Sequence, residues 1–161
     1  MKIISHRGNL DGPDKLRENN PKFIDECIVK GYDVEIDLRL KNNNLFLGHD
    51  FTQYEVSMDW LLQRSQNLWI HAKEFTVLQK LILFKEKLKF FCHETDKFTI
   101  VNGGYIWCHD LKSKVDDKCI IPLLSYDQIM NYNQTFFYAV CTDYVYDCEK
   151  KFKKGEKNER S

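Results

Sequence analysis

Short apolar runs bounded by Gly, Pro, Asn or charged residues recur along the chain, separated by segments in which apolar side chains return every three or four positions. The first pattern is that of buried strands and the second that of amphipathic helices. KIISH predicts a strand over 2–6. After a polar loop, Asn20-Pro21 opens a helix, with Asn20 as N-cap and Pro21 in the first turn. Phe23, Ile24, Cys27 and Ile28 form its apolar stripe, and Gly31 ends it. YDVEIDL predicts a strand over 33–38, and LRLKNNNLFLGHD (38–50) alternates about an Asn-rich turn as a hairpin does. Ser57 caps a short helix over 58–64; strand 68–73, helix 75–87 and strand 89–93 follow.

Beyond residue 93 the pattern loosens. FTIVNGGYIWCHD (98–110) holds two β runs broken by Gly103-Gly104, CIIPLLS (119–125) is a strand carrying a proline, YDQIMNY (126–132) is a short helix, and FFYAVCTDYV (136–145) is the last strand. KKFKKGEKNERS (150–161) has charge without apolar pattern and is expected as a disordered tail, leaving one domain over 1–149. Strands alternating with helices, several of them apolar throughout, predict an α/β fold with parallel strands. The expected architecture is a compact TIM-type (β/α) barrel, shortened or incomplete, because a full one has eight strands and takes about 250 residues. Thin covering by helices would leave Ile120, Ile121, Leu123, Phe136, Phe137 and Val140 as apolar surface, which a homo-oligomer would hide.

With 161 residues and 43% hydrophobic content the chain can bury a real core. Its 24 basic and 24 acidic residues give no bulk attraction for nucleic acid or anionic membrane, so any anion recognition is local. The most apolar helical stretch, 75–88, is interrupted by lysines and is too short to cross a bilayer. Six cysteines without a C-x-x-C pair, and a first strand with no apolar leader before it, predict reduced thiols and a cytoplasmic protein.

All five histidines stand at the ends of β-type runs: KIISHR, LFLGHD, LWIHAK, FFCHE and YIWCHD. Strand ends on one side of a parallel sheet converge, and catalytic side chains gather there. Glu35 and Asp37, two apart, share one face of their strand and call for a positive partner. Such a set suits cleavage of a phosphodiester. Glu35 and Asp37 offer oxygen ligands to a hard cation, and His6 and His49 an acid/base pair. Arg7 and Lys73 offer positive charge for the phosphate. Glu18 and Asn19 are expected among the phosphate- or substrate-binding groups, Glu18 otherwise completing the metal shell or orienting His6 and Asn19 holding the loop. His93 is either a phosphate contact or, with Asp96, a structural hydrogen-bonded pair. His109 reads as an ordinary loop histidine, and Tyr105 and Trp107 as core.

His6-Arg7-Gly8, then Glu18-Asn19 before a proline-started helix, then Glu35-x-Asp37, then Gly48-His49-Asp50 resembles the glycerophosphodiester phosphodiesterase family, relatives of phosphatidylinositol-specific phospholipase C. Residues 3–50 carry the likeness, and HETDKFTIVNGGYIW (93–107) is similar to small, shortened members of that superfamily. The resemblance implies a barrel and metal-dependent hydrolysis of a glycerophosphodiester, a substrate hydroxyl attacking phosphorus to give a cyclic intermediate. It also implies one divalent cation, Mg²⁺, Ca²⁺ or Mn²⁺. Where that family reads glutamate-x-lysine, this chain has His71-x-Lys73. Either His71 joins the metal, favouring Mn²⁺, Fe²⁺ or Zn²⁺, or it does not ligate. The rival readings are a non-catalytic barrel that binds a phosphorylated ligand, and a phosphodiesterase acting on a different, sugar- or lipid-linked diester.

Overall fold

Asn20 accepts the backbone N–H of Lys22 on its side chain and Pro21 follows, so helix α1 (Pro21–Val29) begins where the sequence signals it. Ser57 does the same for α2 (Met58–Gln63) and Ser125, in a full capping box with Gln128, for α4 (Tyr126–Asn131). The computed structural model describes residues 1–158. Its other helices are α3 (Phe75–Leu81), continued by a 3-10 turn at Ile82–Phe84, and α5 (Val145–Asn158). The strands are β1 (Lys2–His6), β2 (Asp33–Lys41), β3 (Asn44–Leu47), β4 (Tyr54–Val56), β5 (Leu68–Ala72) and β6 (Lys89–Phe91). They continue with β7 (Phe98–Val101), β8 (Tyr105–Cys108), β9 (Cys119–Pro122) and β10 (Ala139–Thr142).

The alternating TIM-type barrel expected from the sequence is not what forms. The chain builds one mixed sheet, ordered β4-β3-β2-β1-β10-β9-β8-β7, with β5 and then β6 branching from β2, and it curls into a half-barrel with few helices. β3, β4 and β7 run antiparallel to their neighbours. Two local features explain the departure. Gly103 and Gly104, both at positive φ (93° and 90°), fold β7 straight back onto β8, where an alternating barrel needs a helix. Among the described residues, a polar loop rather than a helix also joins β8 to β9; in it Asp110 accepts Lys112 N–H and Ser113 Oγ–H. The curl brings β7 beside β6 through Asn102 N–H on Phe90 O (3.1 Å) and Thr99 Oγ1–H on Cys92 O (2.9 Å).

Alternation along the strands divides the core three ways. Val34, Ile36 and Leu38 of β2 and Leu68 and Ile70 of β5 face outward and are covered by α1, α2 and α3. Ile3, Ile121 and Val140 face outward on the other side, under α4 and α5. Ile4, Trp69, Phe91, Trp107, Ile120 and Cys141 fill the inside of the curl. Ile120, Ile121, Leu123, Phe137 and Val140, expected as uncovered surface, are therefore buried by their own chain, and of that set Phe136 alone is exposed. This removes the ground for a homo-oligomer built on them. Among the exposed apolar side chains, Phe98, Ile100 and Ile106 gather on the β7–β8 hairpin.

The tail expected from residue 150 is instead helical through 158, and residues 159–161 lie outside the described residues. Lys151 Nζ donates to the Ile129, Met130 and Tyr132 carbonyls at the end of α4, and Phe152 packs edge-on against Phe137. None of the six cysteines, all among the described residues, is in a disulfide. Among the described residues no helix is long and apolar enough to cross a membrane.

Candidate active site

Parallel pairing aligns the site. His6 stands beside Glu35, Asp37 beside His71, and His71 beside Phe91 in the registers of β1, β2, β5 and β6. Glu35, Asp37 and His71 all point into the curl, because their neighbours Ile36, Leu38 and Ile70 point out to the helices. The chain leaves β1 with Arg7 in the left-handed region (φ 56°) and returns through Asn19, also left-handed (φ 60°), whose N–H donates to Arg7 O. Two such non-glycine residues at one strand end store strain where the motifs lie. Gly48 (φ 148°) admits no side chain, since a Cβ there would collide with Phe51 O; this fixes the glycine before His49.

Glu35 and Asp37 are both buried but differently supported. Asp37 Oδ2 pairs with Arg7 Nε (2.8 Å) and accepts Asn19 Nδ2–H (3.0 Å), while Oδ1 lies 3.3 Å from His71 Nδ1 and 3.5 Å from Lys73 Nζ. Burial alone would raise its pKa, but the close approach of His71 and the Arg7 and Lys73 charges outweigh that and hold it well below the usual carboxylate range. Glu35 has no such escort. Its oxygens lie 3.8 Å from His6 Nε2 and 3.7 Å from His71 Nδ1, and burial with the charge of Asp37 pushes its pKa up. Glu35 Oε2 and Asp37 Oδ1 are buried without a hydrogen-bond donor. His71 Nε2 contacts His93 O (3.1 Å) and must carry the hydrogen, since a carbonyl only accepts, so Nδ1 is the atom turned to the carboxylates. One ligand atom each from Glu35, Asp37 and His71 lies within 4.8 Å of the others. Two carboxylates and one imidazole with orphaned oxygens fit a divalent cation.

The two proposed acid/base histidines sit in opposite environments. His6 Nδ1 pairs with Asp143 Oδ1 (2.8 Å), an oxygen that also accepts Asn9 Nδ2–H (2.7 Å). Burial opposes its charge, but Asp143 and Glu35 overcome this and raise its pKa. His49 is more exposed; its Nδ1 pairs with Asp50 Oδ1 (2.7 Å) and its carbonyl is held by Arg39. Partial burial and the Arg7 charge lower its pKa. Nothing in the sequence marked Asp143. It follows the apolar strand β10, and only the pairing of β1 with β10 brings it to His6.

Every histidine lines one cavity of about 300 Å³, with Arg7, Glu35 and Lys73 on one wall and Trp107, Pro122 and Leu124 on the other. His109, expected in an ordinary loop, stacks on His93 with ring centroids 4.0 Å apart, and His93 stacks on His71 at 5.3 Å. Among the described residues no ion pair joins His93 to Asp96. Trp107 is core as expected, stacked on Phe91 at 4.4 Å, and also part of the cavity floor. Two expected substrate contacts do not line the cavity. Glu18 receives Arg7 Nη1 (3.2 Å) and Asn9 Nδ2 (3.1 Å), and Asn19 grips Asp37 twice, through Oδ2 and through the Asp37 N–H. Both position other residues. Arg7 does line the cavity, with two of its three nitrogens committed to Asp37 and Glu18.

No family model, curated protein or solved structure matches this chain.

Proposed function

We propose that this cavity hydrolyses a phosphodiester with the help of a divalent cation, Mg²⁺, Ca²⁺ or Mn²⁺, held by Glu35, Asp37 and His71. The observation that carries the reading is the pair of buried carboxylate oxygens without donors, facing an imidazole nitrogen beside two acid/base histidines in one cavity. A cation bound there would neutralise the non-bridging phosphate oxygens. Lys73 stands over the same wall with its charge only partly met by Asp37 and would orient the phosphate. His49, with its lowered pKa, takes the proton of the attacking hydroxyl, the substrate's own where it has one and water's otherwise, as that oxygen forms the new P–O bond; a cyclic diester formed in this way is then opened by water with the roles of the two histidines exchanged. His6, held protonated by Asp143, donates a proton to the departing oxygen as the ester P–O bond breaks. Opposite shifts in two nearby groups are the arrangement that separates a base from an acid at one pH. The glycerophosphodiesters are the first substrates to test, because the motifs of residues 3–50 point to them.

The test is calorimetric titration of Mn²⁺ into the wild type and the Glu35→Gln variant, alongside hydrolysis of glycerophosphodiesters before and after chelation. Binding lost in the variant and turnover lost with chelator support the reading. Turnover indifferent to chelator overturns the cation's part in it. A second reading, a non-catalytic pocket for a phosphorylated ligand, is favoured by one observation: Arg7 and Lys73 already neutralise Asp37 without a metal. Glycerol 3-phosphate binding in a protein that turns over no diester would establish that alternative.

A further inference from the structure

Beyond His71, the wall that faces the carboxylates takes no part in the hydrolysis proposed above. It consists of a ladder of rings: Phe91 lies flat on His71 (8° between planes), His71 on His93, and His93 on His109. His93 Nδ1 and His109 Nε2 are buried in this wall without hydrogen-bond partners. A buried polar atom left unpaired is expensive, so two of them on adjacent rings lining one cavity point to a ligand that pairs with them.

The neighbours decide what kind of ligand. A second metal would need a third donor, and among the described residues the only such group is Glu35, Asp37 and His71. An anion would need cationic rings, but two charges on rings 4.0 Å apart repel strongly in a partly desolvated wall. A quaternary ammonium would need open aromatic faces, and Phe91 and Trp107, stacked on each other, are each 3% exposed. A neutral imidazole has one donor and one acceptor, and a hydroxyl answers either. We propose that His93 and His109 form the subsite for the departing alcohol of the diester, and that this alcohol is an uncharged polyol, a glycerol or a polyhydroxylated ring. The proposal rests on the diesterase reading for its place in a reaction. It also accounts for the modest cavity of about 300 Å³, at the small end of ligand pockets, with room for a phosphate and a compact polyol.

The experiment replaces the nitrogens and keeps the stack, in His93→Phe, His109→Phe and the double variant. Each is assayed on glycerophosphoglycerol and glycerophosphoinositol, and on glycerophosphocholine and bis(p-nitrophenyl) phosphate, which carry no polyol in the leaving group. The double variant is expected to lose roughly 10- to 100-fold in kcat/KM on the polyol diesters, two neutral hydrogen bonds' worth, and under about twofold on the other two. The first two substrates separate glycerol from a ring polyol. Equal losses on all four, or a wild-type preference for the choline ester, overturn the proposal. Independently of turnover and of how the variants fold, glycerol and myo-inositol are titrated into the wild type while the imidazole ¹⁵N resonances of the histidines are followed. Shifts at His93 and His109 in a protein that cleaves no diester would fail the hydrolysis reading and keep the subsite. Cleavage of the nitrophenyl diester with no polyol-induced shift at either ring would keep hydrolysis and sink the subsite.

Discussion

The wall built by β1, β2 and β5 and the wall built from the ends of β6, β8 and β9 both present histidine to the same cavity, yet the two treat it oppositely. On the first, His6 sits between Asp143 and Glu35, and its charged form is favoured. On the second, His109 has no carboxylate partner, only burial and the neighbouring rings His93 and His71, and its pKa falls to about 4. One residue type is thus a charge carrier on one side and a neutral hydrogen-bonding group on the other, and the difference lies in what each strand's neighbour supplies. The outer surfaces contrast as well. β2 and β5 are sealed by three helices, whereas the β7–β8 hairpin leaves Ile100 78% exposed.

The largest expected effect breaks the charged wall's chemistry. Replacing His6 or His49 by Ala should lower diester turnover by roughly 10²–10⁴-fold, whereas neither His93→Phe nor His109→Phe should approach that on a nitrophenyl diester. Steady-state kinetics on one substrate compares the walls directly, and unchanged turnover in both alanine variants would void the acid/base roles. Next comes stability. Asp37→Asn leaves the partly buried Arg7 with Glu18 alone and takes from Lys73 its counter-charge, and should destabilise the fold by about 3–5 kcal/mol, read from urea midpoints.

The contrast in charge should then appear as opposite pH slopes. His109 resists in the folded chain the proton that it accepts in the unfolded chain below about 6.5, so stability is lost as pH falls from 6.5 towards 4. His6, with its folded pKa raised, contributes fully below about 6.5 and loses that contribution as pH climbs through the folded value. Urea midpoints across pH for His109→Gln and His6→Gln should flatten the acid slope in the first and the alkaline slope in the second. The smallest effect tests the covering. Ile100→Ser on the bare hairpin should shift stability by no more than about 0.5 kcal/mol, while Ile70→Ala under the helices should cost about 2–5 kcal/mol.

Local signals were legible in the sequence to nearly the residue: Asn20-Pro21, Ser57 and Gly103-Gly104 all act where their chemistry says they should. So was the gathering of histidines at the strand ends, which share an edge, although His109 read as an ordinary loop residue and joins the others in the cavity. What failed was inferred from the alternation of elements. A run such as CIIP reads the same whether or not a helix covers its outer face, so neither the mixed sheet nor the burial of Ile121 and Val140 could be read from it. Asp143 escaped for a similar reason. Its partner is 137 positions away, and a lone carboxylate after an apolar strand carries no spacing signal.

The five buried thiols give this molecule built-in reporters. Cys27 is on the buried face of α1 beside Ser5, Cys108 and Cys119 lie towards the thinly covered hairpin, and Cys141 lies fully buried in the cavity floor between the two walls. A thiol reagent reaches each only when its surroundings open. The order in which the native protein is labelled therefore gives a map of which wall breathes first, with no probe to install.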